Sequence, residues 1–171
     1  MKKIIIILIN YNGELLTDAC IQSINQSTEE TDIFVVDNAS HNDAIVEVCS
    51  KYHNVFLHRS SENLGFSGGN NIGIEYAIKN GYRYIMLLNN DTIIDPSMIH
   101  ELIASCNDEQ ISVPCMYYYD KPQTIWYAGG QIDRIKGSAK HFFQDQTVGS
   151  LEEIICSFAT GCCIMMTIDV A

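Results

Sequence analysis

Positive charge is scarce in this chain. Its 171 residues hold 10 Lys and Arg against 21 Asp and Glu, a formal net charge of −11. A nucleic-acid partner would need a basic face, so the composition argues against one. The same scarcity limits how a phosphate could be held. Backbone N–H groups and a cation would have to replace basic side chains. Long apolar runs are missing too. The run from Ile4 to Ile9 falls far short of the ~20 residues of a membrane span. Lys2-Lys3 ahead of it imitates a signal peptide, but Asn10-Tyr11-Asn12-Gly13 stands where a small-residue cleavage site would follow. The run reads as a first strand. Two glycine motifs are also absent. Gly65, Gly68 and Gly69 do not fit G-x-G-x-x-G, and no Gly-Lys-Ser/Thr closes a P-loop. The seven cysteines, Cys20, Cys49, Cys106, Cys115, Cys156, Cys162 and Cys163, are odd in number and include no C-x-x-C pair. Mostly apolar surroundings mark them as reduced, buried thiols of a cytosolic protein.

What is present is a core. At 47% hydrophobic the chain suits a single domain or most of one, since ~150 residues bury roughly 68–70% of their surface. Strands are expected over residues 3–9, 32–36, 55–58 and 83–88, the last two-face buried and continuous. Amphipathic helices fill the gaps. One over 14–26 turns Leu16, Ala19, Cys20 and Ile24 inward. The next carries Ala44, Ile45, Val48, Cys49 and Tyr52 on one face, with Ser40 as cap and Asp43 three residues on. A third covers 67–79 and ends at Gly81; a fourth covers 96–106, with Asp95 as cap and Pro96 at its first position. This order implies a parallel sheet with right-handed crossovers. After about residue 110 the pattern changes to extended segments at 111–119, 124–128 and 131–135, with Gly129-Gly130 as a turn. A loop over 144–149 and a last apolar strand over 163–168 follow.

Four polar clusters follow the strands. They are Asn10-Tyr11-Asn12-Gly13, Asp37-Asn38-Ala39-Ser40, the stretch from Asn63 through Gly65 to Asn70-Asn71, and Asn89-Asn90-Asp91. Each alone could be a turn or a helix cap, and the glycines could simply serve positive φ. In a parallel sheet, however, all four emerge at the carboxyl edge, where such sheets bind ligands.

These motifs resemble glycosyltransferase family 2, in particular its rhamnosyltransferase-like subgroup. The resemblance rests on Ile-Asn-Tyr-Asn after the first strand, Val-Val-Asp-Asn-Ala-Ser after the second, Glu-Asn-Leu-Gly-Phe-Ser-Gly-Gly-Asn-Asn, and Leu-Leu-Asn-Asn-Asp-Thr. The later segment from Phe158 to Cys163 resembles the family's Thr-Gly stretch. It implies the Rossmann-like A-type fold, an α/β architecture whose central, mostly parallel sheet is flanked by helices. It implies a donor-binding half over 1–110 and the start of an acceptor-side half over 111–171. The donor would be a UDP- or dTDP-linked sugar, with Mn²⁺ or Mg²⁺ as cofactor. Carried over by position, Tyr11 and Asn12 line the nucleoside pocket, Asp37 hydrogen-bonds the base, and Asn90 faces the ribose or sugar. Asn38, Asn63, Gly65, Asn70 and Asn89 complete the donor site, and Asp91 holds the metal. Asn89-Asn90-Asp91 departs from the Asp-X-Asp form by losing its first carboxylate.

The resemblance further implies inverting transfer to a saccharide or lipid-linked acceptor, in cell-wall polysaccharide synthesis. The setting would be the cytoplasm, up to the inner face of the plasma membrane. Such transfer needs a carboxylate to take the acceptor's proton. Glu152 and Glu153 precede the Thr-Gly strand and do not match the family position. The base is therefore expected beyond Ala171, with this chain an amino-terminal piece that binds donor without full activity. A non-catalytic nucleotide-sugar-binding module is the alternative. A sugar-phosphate nucleotidyltransferase is a weaker one, because no basic, glycine-rich triphosphate loop follows the first strand.

Overall fold

The computed structural model describes residues 4–147, 149 and 151–171. Lys3 of the expected first strand and Val148 of the expected 144–149 loop lie outside them. The chain forms two compact units, one up to Ser112 together with Gly161–Ala171, the other Val113–Thr160.

The first unit is built on strand β1, Ile4–Asn10, whose apolar residues Ile4 to Leu8 are buried. Strands β2 (Asp32–Asp37), β3 (Val55–Arg59) and β4 (Tyr84–Asn89) pair parallel in the order β3-β2-β1-β4. The last apolar segment of the chain returns to this unit and pairs antiparallel with β4 at the edge. Helix α1 (Glu14–Ile24) and helix α2 (Ala44–Ser50) follow β1 and β2 and touch each other. Helix α3 (Gly65–Asn80) crosses back from β3 to β4 over β1 and β2. Strand order therefore reverses at β1. The loops leaving β1 and β4 part there, which opens a crevice at their carboxyl ends. The core beside α3 joins Ile5 and Ile7 of β1 to Phe34, Val36, Ala77, Tyr82, Ile85 and Leu87. Helix α4 (Met98–Ser105) follows β4.

Several expectations shift at this level. Helix α1 buries Thr17, Cys20, Ile21, Ser23 and Ile24, a face at helical spacing. Leu16 and Ala19, expected inward, are exposed. Ser40 is not the cap of α2: Asp43 holds that position without a side-chain bond, and the Ser40 hydroxyl turns to Asp37. Helix α3 starts at Gly65, so the glycine cluster is its first turns and not a loop. Only Gly65 there has positive φ, at 71°. Gly69 and Gly73 serve close packing instead. A Cβ on Gly73 would stand 2.5 Å from Ile7 Cγ2, and one on Gly69 would stand 3.0 Å from Ile9 Cδ1. Helix α4 begins two residues later than Pro96, while Asp95 Oδ1 accepts the Ser97 backbone N–H at 2.9 Å. Gly81 ends α3 at φ 70°, as expected of a left-handed cap.

The second unit holds two hairpins. Strand β5 (Met116–Tyr118) pairs with β6 (Lys121–Tyr127), and β7 (Gly130–Asp133) pairs with β8 (Ser138–His141). The Ser-Ala-Lys-His run of β8 carries no hydrophobic alternation, so its strand character comes from hairpin pairing alone. Tyr127 is fully buried, edge-on to His141, and its hydroxyl donates to Phe158 O at 2.6 Å. The edge strand of the first unit, β9, is Cys163–Thr167. No helix among the described residues is long and apolar enough to cross a membrane.

Candidate functional site

A crevice of about 360 Å³ opens at the carboxyl edge of the sheet. It is lined by Ile9 and Tyr11 after β1, Asn38 after β2, and Asn63, Gly65 and Phe66 at the start of α3. Leu88, Asn89, Asn90 and Asp91 of β4 and its loop close the other side. All four polar clusters contribute here or directly beneath. No Lys or Arg is among these lining residues.

Seven of the ten expected site residues line the crevice: Tyr11, Asn38, Asn63, Gly65, Asn89, Asn90 and Asp91. Tyr11 and Phe66 offer half-exposed rings. Asn38 is buried and joins two loops: its Nδ2 donates to Asn63 Oδ1 at 2.8 Å and to Gly65 O at 3.1 Å, while its Oδ1 accepts the Leu64 N–H. Asp91 is exposed, and among the described residues it has neither a hydrogen bond nor an ion pair. It is a free carboxylate at the rim.

Asn12, Asp37 and Asn70 are the other three. Asn12, at φ 53°, accepts the His41 N–H through Oδ1 and donates its own N–H to Ser40 Oγ, so it braces the turn after β2. Asn70 is buried within α3 and donates to Phe66 O. Asp37 is fully buried. Its Oδ1 accepts from Asn10 Nδ2 at 3.0 Å and from the Ser40 hydroxyl, and its Oδ2 accepts from Arg59 Nε at 3.0 Å. Arg59 continues to Asp43 at 2.6 Å. A buried carboxylate demands such donors.

Beneath Asn90 lie two residues that sequence reasoning did not select as site residues. Asn10 is buried, and its Oδ1 accepts from Gly13 N and from the Thr17 hydroxyl at 3.0 Å. Thr17, also buried, accepts from Asn90 Nδ2 at 2.8 Å. Asn10 lay inside the first cluster; Thr17 is detectable only from the spacing 17, 20, 21, 24 along α1. Cys20, one turn on, directs its thiol to Asn89 O at 3.8 Å, and burial pushes that thiol up to about 12. It stays protonated and packs as a small apolar group. Cys162 is likewise raised, by burial first and then by the Asp91 charge.

Among the described residues no three His, Cys, Asp or Glu side chains converge on one point. Those residues therefore offer no cage of His, Cys, Asp and Glu side chains alone. A single free carboxylate does fit a hard cation whose remaining ligands are substrate oxygens and water.

The family model for glycosyl transferase family 2 matches residues 5–171. EpsH of Bacillus subtilis (strain 168), named as a glycosyltransferase, is 29% identical over 110 residues, which is 63% of this chain and 31% of EpsH. S. aureus TarS 1–349, solved in complex with UDP-GlcNAc, aligns at TM-score 0.53 and 18% identity over 60% of this chain and 30% of its own. The mannosyltransferase PcManGT from Pyrobaculum calidifontis, solved with GDP-Man and Mn²⁺, aligns at TM-score 0.53 and 15% identity over 59% of this chain and 31% of its own. The chain thus spans about a third of the length of these relatives. Structural likeness at this identity speaks for the fold, which is the A-type glycosyltransferase fold that the family resemblance implied. With the family model covering nearly all of its length, the chain belongs to glycosyltransferase family 2.

Proposed function

We propose that the crevice binds a nucleoside-diphosphate sugar together with one divalent cation, as the donor half of a glycosyltransferase. The observation that carries this reading is the pairing of a free rim carboxylate, Asp91, with a crevice lining that has no basic side chain. A diphosphate carries charge that must be met. With neither Lys nor Arg in the lining, a cation on Asp91 is the available counter-charge. The solved complexes of TarS with UDP-GlcNAc and of PcManGT with GDP-Man and Mn²⁺ support it by likeness of fold.

In this reading Tyr11 and Phe66 flank the nucleoside, whose base stacks on an aromatic face. Asn38 and Asn63 hold that wall in place through their mutual bond. Asp37 reaches the base only through an oxygen lone pair left over from its three partners, so its main duty is to shape the turn that carries Asn38. Asn12 supports the same turn, and Asn70 supports Phe66 through its carbonyl. Asn89 and Asn90 meet the ribose or the sugar. The cation, Mn²⁺ or Mg²⁺, supplies stabilisation of the charge on the departing nucleoside diphosphate. Transfer inverts the anomeric centre by direct displacement, with a saccharide or lipid-linked acceptor at the inner face of a membrane. No residue of this chain is assigned as the base that takes the acceptor's proton.

Calorimetry with UDP, dTDP and GDP, each with Mn²⁺ and with excess chelator, tests the reading. Binding that needs Mn²⁺ and is lost in Asp91→Ala is expected. Equal binding in chelator would remove Asp91 from its role. Turnover of a nucleoside triphosphate plus a sugar phosphate would favour the nucleotidyltransferase alternative instead.

A further inference from the structure

A continuous line of hydrogen-bonded polar groups runs under the crevice, from exposed Arg59 through buried Asp37, Asn10 and Thr17 to half-buried Asn90. Its direction follows from which groups can donate. The Asp37 carboxylate only accepts, so Asn10 must turn its Nδ2 towards it. That places Asn10 Oδ1 against Thr17, 3.0 Å from the hydroxyl oxygen. The other neighbour of that hydroxyl is Gly13 O, at 3.1 Å, again an acceptor. Thr17 has one proton and two acceptors for it, so towards Asn90 its oxygen can only accept. Asn90 must therefore present Nδ2 inward, where it lies 2.8 Å from Thr17 Oγ1. Asn10, Thr17 and Asp37 are all fully buried, so water cannot supply the alternative partners that would let an amide turn over. Gly13 closes the other side: a Cβ there would come within 3.2 Å of Asn90 Nδ2.

We propose that Asn10 and Thr17 are positioning residues that transmit the fixed polarity of Asp37 to Asn90, so that Asn90 offers its carbonyl oxygen to the crevice and selects ligands carrying a hydroxyl there. The proposal rests on the reading of the crevice as a nucleotide-sugar site. It specifies what that site demands of its ligand: a hydroxyl hydrogen-bond donor of ribose or sugar at Asn90, and not a phosphate oxygen, which could only accept. It also links the two sides of the crevice. A change at Asp37 alters the orientation of Asn90 across β1 without moving the backbone of β4.

The test uses nuclear magnetic resonance and calorimetry on the same proteins. In the ligand-free protein, the Asn90 side-chain NH₂ protons should exchange with solvent slowly. Thr17→Val should release them and Thr17→Ser should restore the protection. With Mn²⁺ present, Thr17→Val should weaken UDP-GlcNAc or GDP-mannose about fivefold, the share of one neutral hydrogen bond. Inorganic pyrophosphate, which has no such hydroxyl donor, should bind as in the native protein. Asn90→Ala should cost the same, and the double variant should be no weaker than Asn90→Ala alone. Should Thr17→Val fail to fold, Asn90→Ala is read in its place: loss of nucleotide-sugar affinity with pyrophosphate binding unchanged is expected, and equal loss of both would overturn the assignment. Fast exchange of the Asn90 NH₂ in the native protein, full additivity of the two substitutions, or equal weakening of pyrophosphate would each overturn the relay. If protection behaves as expected but no nucleotide sugar binds, the relay stands and the nucleotide-sugar reading falls.

Discussion

Two aspartates stand at the carboxyl ends of the strands that flank β1, and they have opposite surroundings. Asp37 closes β2, is fully buried, and accepts from Asn10, Ser40 and Arg59. Asp91 follows β4, is exposed, and has no partner among the described residues. Both follow a short apolar strand and both neighbour asparagines, so as sequence they look alike. The difference separates two kinds of work at one edge. A carboxylate whose lone pairs are mostly taken can shape loops but has little left for a ligand. One with all its lone pairs in water is costly to no one and available to a cation.

Breaking each carboxylate in turn is the most direct way to sharpen this contrast. Asp37→Ala strands the Arg59 guanidinium and leaves buried Asn10 short of an acceptor, and should lower stability in urea unfolding by ~3 kcal/mol. Asp91→Ala touches no partner and should stay within ~0.5 kcal/mol of the native protein. Equal losses in the two would erase the distinction. Affinity should show the reverse order. Asp91→Ala is expected to weaken UDP at least about tenfold in Mn²⁺, or ~1.4 kcal/mol, and to leave any residual binding in chelator unchanged. A smaller effect should follow Ser40→Ala, which removes one donor to Asp37 and the acceptor for Asn12 N–H. That change should cost ~1 kcal/mol in the same unfolding experiment. If Ser40 were instead a cap of α2, the loss would come with fraying of that helix, seen as faster amide exchange over residues 44–47.

A third carboxylate, between the other two in character, adds a pH test. Asp18 on α1 is partly buried and bonded to Lys51 at 2.8 Å and to the Tyr52 hydroxyl. Burial raises its pKa, but the hydrogen bonds from Lys51 and Tyr52 outweigh that and hold it below the ordinary value. A pKa lowered by folding contributes stability that is complete above the unfolded value of ~3.9 and disappears as pH falls through the folded one. The gap between native protein and Asp18→Asn should thus be constant above about pH 5 and shrink on acidification. A gap that grew towards acid pH would contradict the sign of the shift.

Much of the fold was legible because apolar runs and strand-end polar clusters repeat in order. Ile4 to Ile9 and Tyr84 to Leu88 could only be buried strands, and four loops on one edge follow from parallel pairing. The face of α1 was half legible: Cys20 and Ile24 turn inward as expected. Leu16 is 55% exposed, while Thr17 is buried and bonded to Asn10 and Asn90, a polar contact that hydrophobicity does not announce. The glycines of α3 hid their purpose for a similar reason. Close approach of a helix to β1 at Gly73 is a three-dimensional demand, whereas positive φ, read from the residue type, applies only to Gly65. At the site, the composition of each cluster located the edge correctly. It could not separate the residues that line the crevice from those that lie beneath it, since Asn and Asp serve both places.

The central claim is that a cation and a nucleotide meet at Asp91, each completing the site for the other. Paramagnetic broadening by Mn²⁺, read on the backbone amides with and without UDP, addresses it directly. The account predicts broadening centred on residues 89–91 and reaching Tyr11 and Phe66 only when Mn²⁺ and UDP are both present, and its loss in Asp91→Ala. Broadening of the same amides by Mn²⁺ alone, or broadening with UDP centred elsewhere on the sheet and indifferent to Asp91, would contradict it.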